Sequence, residues 1–111
     1  MKIGTEIKLI KDVYRMPGMV DAPAGIRGVI IAIDESGDMP FLAVLDLRPA
    51  KLEWSDMHKK IATGRGITLP PYRRVESRWL ERAQFEADEG HGFDQYFHDA
   101  VRDLAEKHAK D

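Results

Sequence analysis

Two apolar, β-branched runs on either side of one short polar loop constrain this chain most strongly. Gly28-Val29-Ile30-Ile31-Ala32-Ile33 and Phe41–Leu47 flank Asp34-Glu35-Ser36-Gly37-Asp38. Val and Ile branch at Cβ, which crowds a helix turn and suits a pleated strand. The loop is too short for a crossover, so the two runs pair antiparallel. A β-hairpin at the centre of the chain is the first expectation, and the rest of the fold must bury its faces.

The flanking segments add strands. Ile7 and Leu9 alternate with Glu6 and Lys8, the period of a half-buried strand over Thr5–Ile10. Met16-Pro17-Gly18 breaks it, Val20–Pro23 is a short extended piece, and Pro23-Ala24-Gly25 signals a tight turn. Residues 48–66 read as a charged insertion in which Met57–Ala62 is either a helical turn or a loop, ended by Gly64-Arg65-Gly66. Ile67-Thr68-Leu69 reads as a strand entering Pro70-Pro71. Tyr72–Val75 resumes it, and Trp79-Leu80 opens either a helix or a short turn. The C-terminal stretch is helical: Phe93, Tyr96, Phe97, Ala100, Val101, Leu104 and Ala105 recur at i, i+3, i+4 spacing, with Asp94 as its cap.

Composition closes several routes. There is no cysteine among the 111 residues, which excludes disulfides, thiolate zinc sites, iron–sulfur clusters and a cysteine nucleophile. The longest apolar runs, Val29–Ile33 and Phe41–Leu45, are five residues each, against about 20 for a membrane-spanning helix. Charges interrupt Met1–Lys8 every few residues, leaving no signal-peptide core. The expectation is a cytoplasmic protein of bacterial or phage-like compactness, with no membrane partner.

Net charge is −2, but its distribution is uneven. Residues 48–82 hold nine Lys/Arg against four Asp/Glu, and residues 83–111 hold three against eight. Either the acidic end packs near the basic middle and neutralises it, or one of the two is a docking surface for a charged partner.

The segments Ile3–Val13 and Pro23–Ile33 resemble the opening of SH3-like small barrels, the layout also found in KOW-type domains and in the barrel of nitrile hydratase beta-like proteins. Val75-Glu76-Ser77-Arg78-Trp79-Leu80-Glu81 resembles the turn and closing Trp-Leu-Glu of such barrels. The resemblance covers residues 3–47 and 67–82. It implies a mainly β fold with a C-terminal helix: an SH3-like barrel over residues 1–82, with the charged insertion at about 48–66 and a helical appendage over 83–111. In that layout the glycine that opens the second strand, Gly28, permits a sharp bend where the barrel closes. The resemblance implies no activity, because small barrels host unrelated functions.

Candidate chemistry is sparse. Asp94 and His98 lie one helical turn apart with His91 just upstream, but no spacing supplies three or four metal ligands. Ser36, Ser55 and Ser77 lack a nucleophile-elbow motif. Gly64-Arg65-Gly66 lacks the lysine and helix of a phosphate loop. No cofactor, metal or catalytic residue is assigned, and an enzyme or enzyme subunit stands only as an alternative. Arg65, Arg73, Arg74, Arg78 and Arg82 fall within 18 residues, beside Tyr72 and Trp79. Arginine interleaved with aromatics suits a protein interface. It also suits nucleic acid, although a pI near 6.1 argues against a dedicated nucleic-acid binder, and a plain surface paired with Glu76 and Glu81 fits it too. The expected function is a non-enzymatic interaction or accessory module. Tyr72, Arg73, Arg74, Arg78 and Trp79 form its partner-binding surface: an aromatic anchors an apolar contact and the arginines bind acidic groups. The C-terminal Phe93/Tyr96/Phe97 stripe covers an open face of the β structure or mediates self-association.

Overall fold

In the computed structural model, which describes residues 1–110, the central hairpin is present. β4 (Arg27–Ile33) pairs antiparallel with β5 (Phe41–Asp46), with one bulge at Ile31. Asp34 closes the connection: its Oδ1 accepts from the Ser36 N–H at 3.1 Å and the Ser36 hydroxyl at 2.6 Å. These bonds hold its carboxyl below the usual carboxylate range. β1 (Glu6–Leu9) pairs with the other side of β4, and β7 (Phe85–Ala87) pairs with β1. β6 (Val75–Leu80) pairs with β5. A second pair, β2 (Val13–Met16) and β3 (Met19–Ala22), turns at Pro17-Gly18. Pro at the first central position and a glycine at φ +82° at the second fit a type II turn. Two helices complete the chain: α1 (Asp56–Gly64) and α2 (Gln95–Lys110).

The fold is thus mainly β with a C-terminal helix, but it is not the expected SH3-like barrel. Five strands form one open sheet in the order β6-β5-β4-β1-β7, and β2–β3 form a separate sheet. The outer strands β6 and β7 make no ladder with each other, so no ring of hydrogen bonds closes. β2 and β3 satisfy one another across their turn instead of extending the larger sheet. Gly28 has a different role from the expected barrel bend. A Cβ there would strike the Val44 carbonyl, so glycine permits close packing of β4 against β5.

One face of the sheet carries the core. Ile7, Leu9, Ile30, Ala43, Leu45, Leu80 and Phe85 pack with Val13 and Ala22 of the small hairpin. The other face carries α2, which lies across β4, β5 and β6. β5 is therefore buried on both faces, which explains why Leu42-Ala43-Val44-Leu45 is apolar without alternation. Phe97 is fully buried beneath α2 and stacks on Phe93 at 4.2 Å.

Within the charged segment the helical alternative for Met57–Ala62 is the one present, as α1, whereas residues 65–74 depart from the expected reading. Ile67–Leu69 forms no strand; the chain from Arg65 to Arg74 is irregular. It is held by Trp54 Nε1 donating to the Pro70 carbonyl at 2.9 Å and by the Arg73 N–H donating to the Leu52 carbonyl at 2.8 Å. Trp79-Leu80 closes β6 and opens neither a helix nor a turn. The short 3-10 turn follows it, at Arg82–Gln84.

Candidate functional site

The five residues expected to bind a partner do not form one patch. Arg78 and Trp79 are neighbours in β6 and therefore point to opposite faces of the sheet. Glu76, Arg78 and Leu80 face the core and the small hairpin, while Ser77 and Trp79 face α2. Tyr72 and Arg74 lie exposed ahead of β6. Arg73, by contrast, is buried at 9% exposure.

The buried arginine belongs to a carboxylate-centred cluster. Asp21 in β3 is only 5% exposed. Its Oδ1 accepts from Arg73 at 3.0 Å and from Arg15 at 3.2 Å, and its Oδ2 meets Arg78 at 2.6 Å. Glu76 takes the other edge of the Arg73 guanidinium through two bonds of 2.7 Å. Those bonds, and less strongly Asp21, raise the Arg73 pKa against the opposing effect of burial. Arg78 also donates to the Tyr14 carbonyl at 3.1 Å. The cluster ties the small hairpin to β6. Its arginines are already engaged, as the plain-surface reading anticipated for Glu76.

A second ionic set holds α2 in place. Asp94 accepts from the Phe97 N–H at 3.0 Å, which makes it the helix cap. Both its oxygens also meet Arg48 at 3.0 Å. The Arg48 bonds first, and the Phe97 N–H second, keep the Asp94 carboxyl below the usual carboxylate range. Arg48 in turn binds Asp46 at 2.8 Å and lies over the Tyr96 ring at 4.8 Å. Here the acidic end does neutralise part of the basic middle. Asp88 turns elsewhere, to Arg27 at 2.7 Å and Lys8 at 3.8 Å.

Trp79 lies apart from both sets, in a groove of about 510 Å³ between β6 and the last turns of α2. Met39, Leu42, Trp79 and Leu104 supply its apolar surface, and Lys107 and His108 its basic groups; Arg78 also borders it, but its guanidinium is drawn to Asp21 on the opposite face of the sheet. Among the described residues, no carboxylate lines the groove. His108 meets the Trp79 ring edge-on at 5.9 Å. Lys107 has no ion pair among the described residues. From the sequence, Leu104 belongs to the apolar stripe of the helix, and neither it nor Lys107 or His108 is assigned to a site. Their i, i+3, i+4 spacing places them on one helix face, and that is the signal that finds them.

Other chemistry is local. Ser55 caps α1, accepting from the His58 N–H at 3.2 Å, and its hydroxyl contacts His58 Nδ1 at 2.6 Å. This pair lies within one turn, as a capping arrangement requires. Among the described residues, no group of three or more His, Asp or Glu side chains is placed to hold a metal ion. No described helix is long and apolar enough to cross a membrane. Comparison with protein families, with curated proteins and with solved structures finds no match for the chain.

Proposed function

We propose that this protein is a non-catalytic interaction module that docks a protein partner at the Trp79 groove. One observation carries the reading: a half-buried tryptophan lines a cleft shared by apolar and basic side chains, with no carboxylate among the described residues. Interface anchors have this character, a large aromatic in a partly formed pocket with charge at the edge. Trp79 therefore keeps the anchoring role inferred from the sequence. Arg73 and Arg78 do not keep the acid-binding role, because Asp21 and Glu76 already occupy them. Lys107 and Arg74 take their place.

Nucleic acid is a poorer fit. Backbone recognition needs several free cations along a track, and two of the five candidate residues are neutralised within the fold.

The test is affinity capture from an extract of the cells that express the protein, with wild type and Trp79→Ala as parallel baits. The expected result is a partner held by the wild type and lost by the variant, with unchanged circular dichroism. A capture profile identical for both baits overturns the assignment of the groove.

A further inference from the structure

We infer that an extended acidic segment of the partner adds as a strand to the open edge of β6, seating an apolar side chain against Trp79 and carboxylates against the basic groups at both ends of the strand. The inference rests on the reading of the protein as an interaction module and narrows it to one partner chemistry and one geometry.

The edge comes first. β6 has a ladder only with β5, through six consecutive pairs from Asp46↔Val75 to Phe41↔Leu80 without a bulge. Among the described residues, no other segment makes a backbone–backbone hydrogen bond to residues 75–80. A row of unpaired backbone groups on a regular strand is a template for another strand. Proteins normally blunt such edges with Pro, bulges, short strands or outward charge. The opposite edge is blunted: β7 has three residues, and Glu86 beside Lys8 and Asp88 beside Arg27 set charge along it. β6 has no proline and no bulge, and its charges, Glu76 and Arg78, are engaged by Arg73 and Asp21. Its one cation, Arg78, is drawn back onto Asp21 and the Tyr14 carbonyl.

Charge then selects the occupant. At the Trp79 end, Lys107 and His108 line the groove. At the Val75 end, a smaller hollow of about 210 Å³ is lined by Arg48, Lys51, Pro71, Tyr72, Arg73 and Arg74, again with no carboxylate among the described residues. Arg48 and Arg73 are ion-paired there, but Lys51 and Arg74, like Lys107, have no ion pair among the described residues. Free cations thus flank both ends of a strand roughly 17 Å long, at ~3.4 Å per residue. A basic segment meets repulsion at both ends. A second copy adding antiparallel lays its own Lys51/Arg74 end beside Lys107, like charge against like. An acidic segment meets complementary charge in either direction.

The test is nitrogen-15 NMR of the full chain at low salt, titrated with a capped peptide of about eight residues alternating Asp and Val, long enough to cover β6. Three comparison peptides are used: one replaces Asp by Lys, and two carry N-methyl groups on every second amide, one in each phase. The acidic peptide is expected to shift the amides of residues 75–80 and the Trp79 indole saturably. Binding is expected to be about tenfold weaker with Lys107→Glu. One phase of N-methylation is expected to abolish it, because strand addition uses only one edge of the peptide backbone. Retention of the Lys107→Glu spectrum away from α2 establishes that the variant is folded.

Four results each overturn the inference: no binding of the acidic peptide, equal binding of the lysine peptide, binding that survives N-methylation in both phases, or self-association of the free protein through β6. If the peptides fail while Trp79-dependent capture of a partner persists, strand addition falls and the docking groove stands. If both fail, the interaction reading falls as well.

Discussion

Arg78 and Lys107 line the same groove, yet only one of them has charge to offer. Arg78 is bound at 2.6 Å to a buried carboxylate, whereas Lys107 has no acidic partner among the described residues. Behind this contrast stand two regions of opposite character. Around Asp21, three arginines converge on a carboxylate that would be costly to bury alone. Around Trp79, Lys107 and His108 line a cleft with no acid among the described residues. Cation density along a chain counts the positive groups a surface carries. It does not count those left over once the fold has satisfied its own buried charges.

The comparison breaks first if α2 is not fixed to the sheet, because α2 forms one wall of the groove. Phe97→Ala removes a fully buried ring and is expected to cost about 3–5 kcal/mol in urea unfolding. A loss below about 1 kcal/mol, far short of a core cavity, means that the groove is not a standing feature. The Asp21 region is tested next by Asp21→Ala. The arginines would lose their buried acceptor, and removing one partner of a buried pair costs several kcal/mol. Arg15 and Arg78 are each about a third exposed and can turn to water, so the expected loss is roughly 2–4 kcal/mol. A negligible change would show that the cluster is a surface feature with no structural role.

These two sites also mark what the sequence made legible. The hairpin, the first strand and the C-terminal helix with Asp94 as cap follow from local periodicity, and each is present. Barrel closure does not follow from it. Closure depends on whether β6 and β7 meet, a non-local matter that strand patterns leave open. β6 itself was obscured because Glu76, Ser77 and Arg78 interrupt the apolar pattern. Its core-facing positions hold polar side chains that satisfy Asp21 and Arg73. The site was legible as residue types and not as a surface. Trp79 was found as an aromatic among arginines. That Arg73 is buried depends on Asp21, 52 residues away. That Lys107 stands beside Trp79 depends on how α2 crosses the sheet. Neither relation has a local signature.

A third test separates the charge of Asp94 from its capping. Asn caps a helix about as well as Asp but cannot pair with Arg48. Asp94→Asn is therefore expected to lose only the ion pair, with a smaller effect than Asp21→Ala. The pH dependence has a definite sign. The folded Asp94 carboxyl sits below its ordinary value, so its contribution is complete above the unfolded pKa of about 3.9 and is lost as pH falls through the lower, folded value. The gap in melting temperature between wild type and Asp94→Asn should be constant from neutral pH to about 5 and close as the solution is acidified below about 4. A gap unchanged under acid would mean that the Arg48 pair does not hold the helix.

The smallest effect on folding is expected at the position most important for binding. Lys107→Glu reverses a charge that has no ion pair among the described residues, on a helix surface, and such changes alter stability by about 0.5 kcal/mol or less. Arg78→Glu reverses the neighbouring charge against Asp21, placing two carboxylates where an ion pair stood. It is expected to destabilise the fold by about 2 kcal/mol or more. Partner capture should fall in both variants, but only Arg78→Glu should lose it in step with its lowered melting point. In Lys107→Glu the loss of binding should occur with the fold intact and should resemble the weakening of wild-type binding as salt is raised. Equal stability losses in the two variants would erase the distinction between an engaged cation and a free one, and with it the reason to place the partner at this groove.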